Sequence, residues 1–150
     1  MRKFGNTRME IKRVGFGGIP IQRISQEDTN KVIDELEKCG VNFIDTARGY
    51  TISEEYLGNA LKGRREKFYI ATKSMSRDYE SMKKDIEISL KNLQTDYIDL
   101  YQMHNVKPAE YDTIFGEDRA YRALLEAKEA GKIKHIGITS HGLETVEKAV

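Results

Sequence analysis

Four side chains of unlike chemistry stand at or just past the ends of short β-rich runs. Asp45 closes the run Asn42-Phe43-Ile44, and Tyr50 follows five residues later in a Gly-containing loop. Lys73 closes Phe68-Tyr69-Ile70-Ala71-Thr72-Lys73, and His104 closes Ile98-Asp99-Leu100-Tyr101-Gln102-Met103-His104. In a parallel α/β sheet such strand ends lie side by side, where these folds put their chemistry. The set suits polarising and protonating a carbonyl. A phenol, with a pKa of about 10, is a poor acid at neutral pH, and a nearby ammonium lowers that value by favouring phenolate. Lys73 can supply the charge, Asp45 can hold Lys73 through an ion pair, and His104 can donate a hydrogen bond to a substrate oxygen. No side chain donates hydride, so reduction by this set implies a nicotinamide. Taken singly, each residue has a plainer role: surface packing for Tyr50, a helix cap for Asp45, a solvated charge for Lys73, core packing for His104. Their shared placement favours the functional reading.

Positioning them requires regular alternation of strand and helix. β-rich runs at Val14–Gly17, Asn42–Asp45, Phe68–Thr72, Ile98–Met103 and His135–Thr139 alternate with helical stretches at Gln26–Cys39, Glu54–Leu61, Tyr79–Leu93 and Asp118–Ala130. A further helix begins near Leu143. This is the signature of βαβ units and a parallel sheet. Ser25, three residues before Asp28, predicts a helix N-cap. Gly40, Gly63 and Gly131 fall just past three helix ends, where a left-handed residue is wanted. Met82, Ile86, Leu90 and Leu93 form one stripe. Cys39 falls on the apolar stripe of the first helix and is expected to be buried. The segment before Val14 predicts a small hairpin turning at Gly5-Asn6.

Alternate strand residues point to opposite faces. Phe43 and Asp45 therefore share a face, as do Tyr69, Ala71 and Lys73, and Leu100, Gln102 and His104. Ile44, Ile70, Ile136 and Ile138 take the other face, towards the helices. Asp45, Lys73 and His104 are thus expected to point inward at one rim.

Composition narrows the field. Twenty-five basic and 24 acidic residues leave a net charge of +1, which argues against a nucleic-acid binder. The charges lie on helix faces rather than in blocks. The single cysteine, Cys39, excludes an internal disulfide and fits a reducing, cytoplasmic setting. No apolar leader core follows Met1-Arg2-Lys3-Phe4, no run approaches membrane-spanning length, and no cluster suggests a metal site.

With these residues in view, the chain resembles the aldo-keto reductase family. The family pattern of strand-Asp-Thr-Ala, two variable residues and Tyr is met by Asp45-Thr46-Ala47-Arg48-Gly49-Tyr50, and its continuation by Ser53-Glu54-Glu55 and Gly58. Thr72-Lys73, the run from Asp96 to Tyr101 with His104, and Gly15-Phe16-Gly17 match further motifs. The resemblance implies a (β/α)8 TIM barrel, of which residues 1–150 cover about the first five βα units as the N-terminal part of one domain. It implies reduction of aldehydes or ketones with NADPH, or with NADH. Asp45, Tyr50, Lys73 and His104 would be the catalytic tetrad, with Tyr50 the general acid. Gly17, Gly18, Asp45, Thr139 and Ser140 would contact the cofactor.

Two departures shape the expectation. The family often has Gly-Val-Ser-Asn after the fifth strand, whereas here the run is Gly137-Ile138-Thr139-Ser140-His141. That wording resembles a bacterial and archaeal subgroup with a C-terminal iron–sulfur extension, whose cysteines would lie beyond this chain. Asn105 stands where better-known members have Trp, so substrate preference does not carry over. A complete barrel takes about 250 residues. The loops that clamp the adenosine phosphate come from later strands, so a chain this short is expected to dimerise or to belong to a longer polypeptide. The rival readings are a catalytically silent half-barrel acting in assembly, and an interaction protein like the potassium-channel accessory subunits of the family.

Overall fold

The computed structural model describes all of residues 1–150. An N-terminal hairpin, β1 (Arg2–Lys3) and β2 (Glu10–Ile11), precedes alternating strands and helices: β3 (Phe16–Gly17), α1 (Gln26–Lys38), β4 (Phe43–Asp45), α2 (Ser53–Ala60), β5 (Tyr69–Ser74), α3 (Tyr79–Leu93), β6 (Ile98–Met103), α4 (Pro108–Tyr111), α5 (Ala120–Glu129), β7 (Ile133–Ile138) and α6 (Leu143–Ala149). Strands β3 to β7 form one five-stranded sheet in sequential order. Every pairing in it is parallel. Parallel neighbours need crossovers, and the amphipathic helices supply them.

The two faces of the sheet separate by residue parity. Ile44, Ile70, Tyr101 and Met103 face the helices and join Leu57, Leu61, Met82, Ile86, Leu93 and Leu124 in a core of 22 buried residues. Ile136 and Ile138 pack against the same cluster. Burial of each such side chain contributes about 1.5–3 kcal/mol. The opposite face carries Ala71 and Leu100, which Met9 of the hairpin loop covers, with Ile11, Phe43 and Tyr69 packed alongside. Phe4 meets Phe43 at 5.3 Å between ring centroids, and Asn42 binds both Lys12 N and Glu10 O. The hairpin thus covers the N-terminal end of the inner face and leaves the other rim for chemistry.

Local signals are met closely. Ser25 Oγ accepts from Asp28 N, Asp78 caps α3 by accepting from Ser81 N, and Gly40, Gly63 and Gly131 take φ values of +69°, +72° and +75°. The hairpin turns at Gly5-Asn6, closed by Thr7 N donating to Phe4 O. Where expectation and structure part, the cause is tertiary. Val14 is 64% exposed and β3 is only two residues long, because β4 offers it a short edge to pair with. β5 runs on to Ser74, so Lys73 lies inside a strand, paired with Gln102. β7 starts at Ile133, since Ile98 gives it a partner there. Cys39 is exposed, contrary to expectation. It is the C-cap of α1, where the chain turns away after the buried Thr29 and Ile33. The structure adds α4 and 3-10 turns at Ile19–Arg23, Arg65–Lys67 and Asp112–Phe115, which the strand–helix alternation does not predict.

Candidate active site

Asp45 is the last residue of β4 and pairs across the sheet with Ala71 and Gly17. Lys73 lies two residues beyond Ala71, on the same face. Its Nζ donates to Asp45 Oδ2 at 2.6 Å and to Thr46 O at 2.8 Å. The pair is lopsided: the lysine side chain is 6% exposed and the carboxylate 39%. The buried ammonium is therefore held by one charge and one dipole while the carboxylate opens towards the rim.

Past Asp45 the chain keeps its bonds to neighbouring strand ends. Thr46 N donates to Ala71 O, Arg48 N to Lys73 O, and Gly18 N to Asp45 O. Tyr50 N then closes a turn onto Ala47 O. This brings the Tyr50 ring over Lys73, whose Nζ lies 5.1 Å from the ring centroid. The His104 imidazole stands edge-on to the same ring, 6.2 Å away at 88°. His104 is one residue past β6, with its N–H on Ser74 O and its carbonyl receiving Arg77 Nη2 at 2.7 Å. The structure therefore brings all four residues together at one rim. Burial first, and then the Lys73 charge, hold the His104 pKa below its ordinary value of 6.5. The imidazole is neutral at neutral pH and can donate a hydrogen bond without adding charge.

Tyr50 and His104 are each followed by a non-glycine residue in the left-handed region, Thr51 at φ +41° and Asn105 at φ +52°. For β-branched Thr51 this is a strained conformation. Such outliers persist only where the surroundings over-determine them.

The expected cofactor contacts divide. Gly17 is exposed beside Asp45, and a Cβ there would meet no atom within 4 Å. Gly18 is buried; besides its N–H bond, its carbonyl accepts from Ser53 Oγ and Ile21 N. A Cβ on Gly18 would lie 3.1 Å from Ser53 Oγ and 3.2 Å from Asp45 O, a tight fit that only a small shift of its neighbours would admit. Thr139 Oγ1 accepts from Asn105 N, and Ser140 Oγ donates to Val106 O. Those two hydroxyls hold the loop after His104 inside the fold. No group of three His, Cys, Asp or Glu side chains converges as a metal site, and no helix is long and apolar enough to cross a membrane.

Behind the tetrad lies a polar layer built partly on Glu54 of the Ser53-Glu54-Glu55 run, a residue whose role the motif leaves open. Glu54, 1% exposed, receives Thr72 Oγ1 at 2.8 Å and Arg48 Nη1 at 3.0 Å. Asp85 of α3 accepts from Ser74 and Ser76 hydroxyls. Glu54 also lies three and four residues before Leu57 and Gly58, on the buried stripe of α2.

Comparison with known proteins places this geometry. Residues 13–150 match the Aldo/keto reductase family. An L-galactose dehydrogenase of Arabidopsis thaliana is 33% identical, over 96% of this chain and 49% of its own length. A methylglyoxal reductase of Escherichia coli is 32% identical, over 89% of this chain and 48% of its own. The holo form of an aldo-keto reductase from Bacillus halodurans superposes with a TM-score of 0.86 at 30% identity, covering 98% of this chain and 52% of that one. The chain spans about half the length of the curated relatives it matches. Its five parallel strands with intervening helices are βα units of the TIM barrel. With its family model matched along nearly its whole length, the chain belongs to the aldo-keto reductase family.

Proposed function

We propose that this chain carries the proton-donating half of an NADPH-linked reductase of aldehydes or ketones, as the N-terminal part of a single barrel domain. The observation that carries the reading is the convergence on one phenol: the Lys73 ammonium 5.1 Å from the Tyr50 ring centroid, and His104 edge-on to the same ring. Tyr50 is the general acid. Lys73, anchored by Asp45, stabilises the negative charge that develops on the phenol oxygen as its proton leaves. Neutral His104 orients the carbonyl oxygen by an N–H donor, so that the Tyr50 proton reaches the same oxygen.

The residues fit a nicotinamide on two grounds. The set contains an acid and its charge support but no hydride source, and Gly17 leaves open space beside Asp45 at the rim. When bound, that group would supply the hydride. Gly17 and Asp45 would line its ring site, with Thr139 and Ser140 shaping the adjoining strand end. The intact tetrad favours this reading over a silent half-barrel. Membership of the family supports the oxidoreductase class, and the relative named as a methylglyoxal reductase supports a small carbonyl substrate.

The test is Tyr50→Phe in the natural protein. Reduction of a panel of aldehydes and ketones should fall by about 10²–10⁴-fold in kcat, the range contributed by a positioned acid. NADPH binding, followed by nucleotide fluorescence, should stay close to wild type. An unchanged kcat would remove Tyr50 from the role of acid.

A further inference from the structure

The loop that presents Tyr50 is closed at its base by an ion pair between a buried carboxylate and a partly exposed guanidinium. Arg48 Nη1 reaches Glu54 Oε2, six positions further on, at 3.0 Å, which closes a ring with Tyr50 and the left-handed Thr51 inside it. Glu54 is 1% exposed and its other oxygen accepts from Thr72 Oγ1 at 2.8 Å. Thr72 is the neighbour of Lys73 on β5, with its side chain on the opposite face. The Arg48 main chain reaches the same strand from the front, donating to Lys73 O at 2.9 Å. One buried carboxylate therefore ties the acid-bearing loop to the lysine-bearing strand. A second carboxylate flanks the guanidinium, with Asp85 Oδ1 3.8 Å from Arg48 Nε. Arg48 Nε itself is buried without a hydrogen-bond partner, so Nη1 on Glu54 is the contact that orients the guanidinium.

We infer that Arg48 and Glu54 are positioning residues for the acid, a clamp that fixes the phenol of Tyr50 relative to the Lys73 ammonium and holds Thr51 in its strained conformation. Neither touches substrate. The guanidinium is needed because Glu54 is a buried charge, costly without its partner. The planar fork is needed because a point charge on a flexible stem does not fix direction. This inference rests on the reading of Tyr50 as the acid.

The experiment compares Arg48→Met, Arg48→Lys and Glu54→Gln in the natural protein, alone and in a Tyr50→Phe background. Carbonyl reduction is assayed, and 13Cζ-tyrosine NMR reports the Tyr50 ring without need of turnover. Arg48→Met should lower kcat by about 10²-fold, the effect of displacing a reacting group by about 1 Å, with KM little changed. Arg48→Lys should recover part of the loss, and the Tyr50 resonance should move or broaden in step with kcat. In the Tyr50→Phe background the same substitutions should add no further loss. Wild-type kcat and an unmoved Tyr50 resonance in Arg48→Met would overturn the clamp. So would an equal loss in the Tyr50→Phe background, which would mean a general structural role. If Arg48→Met does not fold, Arg48→Lys and Glu54→Gln carry the same comparison. If Tyr50→Phe alone retains activity, the acid assignment falls, and the resonance then decides by itself whether the clamp holds the ring.

Discussion

Gly58→Ala sets two physical effects of opposite sign against each other. Gly58 lies inside α2, where exchange for alanine normally favours a helix by about 1 kcal/mol. Here, however, α2 crosses α3 at this residue. A Cβ would stand 2.1 Å from Asn92 O, 2.8 Å from Leu93 C and 2.9 Å from Leu93 Cα. Every obstacle is backbone, so no side chain can rotate away. The nearest falls about 0.9 Å short of the 3.0 Å that real Cβ atoms keep, and the helices must separate by at least that much. A gap of 0.5–1 Å forfeits about a quarter to a half of each dispersion contact across it. Leu57, Leu61, Ile86 and Leu93 are the core side chains along this seam. Overpacking costs about 1–3 kcal/mol even where some relaxation is possible. A rigid obstacle places this case at or above the top of that range, and after the helix gain the net loss is about 2 kcal/mol. Urea denaturation of the natural protein and of Gly58→Ala, followed by circular dichroism, reads it directly. The midpoint should fall with an unchanged slope, since the surface exposed on unfolding is the same. An unchanged or raised midpoint would show that α2 slides freely on α3, and the packing argument would fail.

Lys73→Met should separate stability from activity. The substitution removes a buried ammonium and its bonds to Asp45 and Thr46 but keeps an apolar stem, so the melting temperature should change little while kcat falls by about 10²–10³-fold, as for loss of one preorganised electrostatic group; a normal kcat would contradict the assigned role. His104 should titrate below 6.5 by NMR, because burial and Lys73 disfavour its charged form. The unfolded chain then binds more protons than the folded one between the folded pKa and 6.5, so this stability is present above pH 6.5 and is lost as pH falls through the folded value; a midpoint at or above 6.5 would contradict the assigned environment. Ser25→Ala should lower stability by about 1 kcal/mol by leaving Asp28 N without its cap, as measured by chemical denaturation; no change would mean that α1 frays at no cost.

What the sequence settled by itself was whatever short-range chemistry dictates. The period-two alternation in Phe43–Asp45, Tyr69–Lys73 and Leu100–His104 assigned faces before any neighbour was known, because a pleated strand permits only two. Ser25, Gly40, Gly63 and Gly131 marked helix ends, because capping and left-handed backbone are local demands. Asp45, Tyr50, Lys73 and His104 were legible for the same reason, each standing near a strand end. Tertiary structure decided where register and packing decide. The cross-strand partners of β5 and β7 set their true limits, and the turn of the chain after α1 exposed Cys39. Gly18, Thr139 and Ser140 are bonded within the fold because neighbouring loops approach them. In the chain Arg48 is a variable position of the Asp45–Tyr50 motif and Glu54 a motif residue with no role attached. They become a pair, its carboxylate buried, only when α2 turns its stripe towards β5, which brings together groups six residues apart with the strand that holds Lys73.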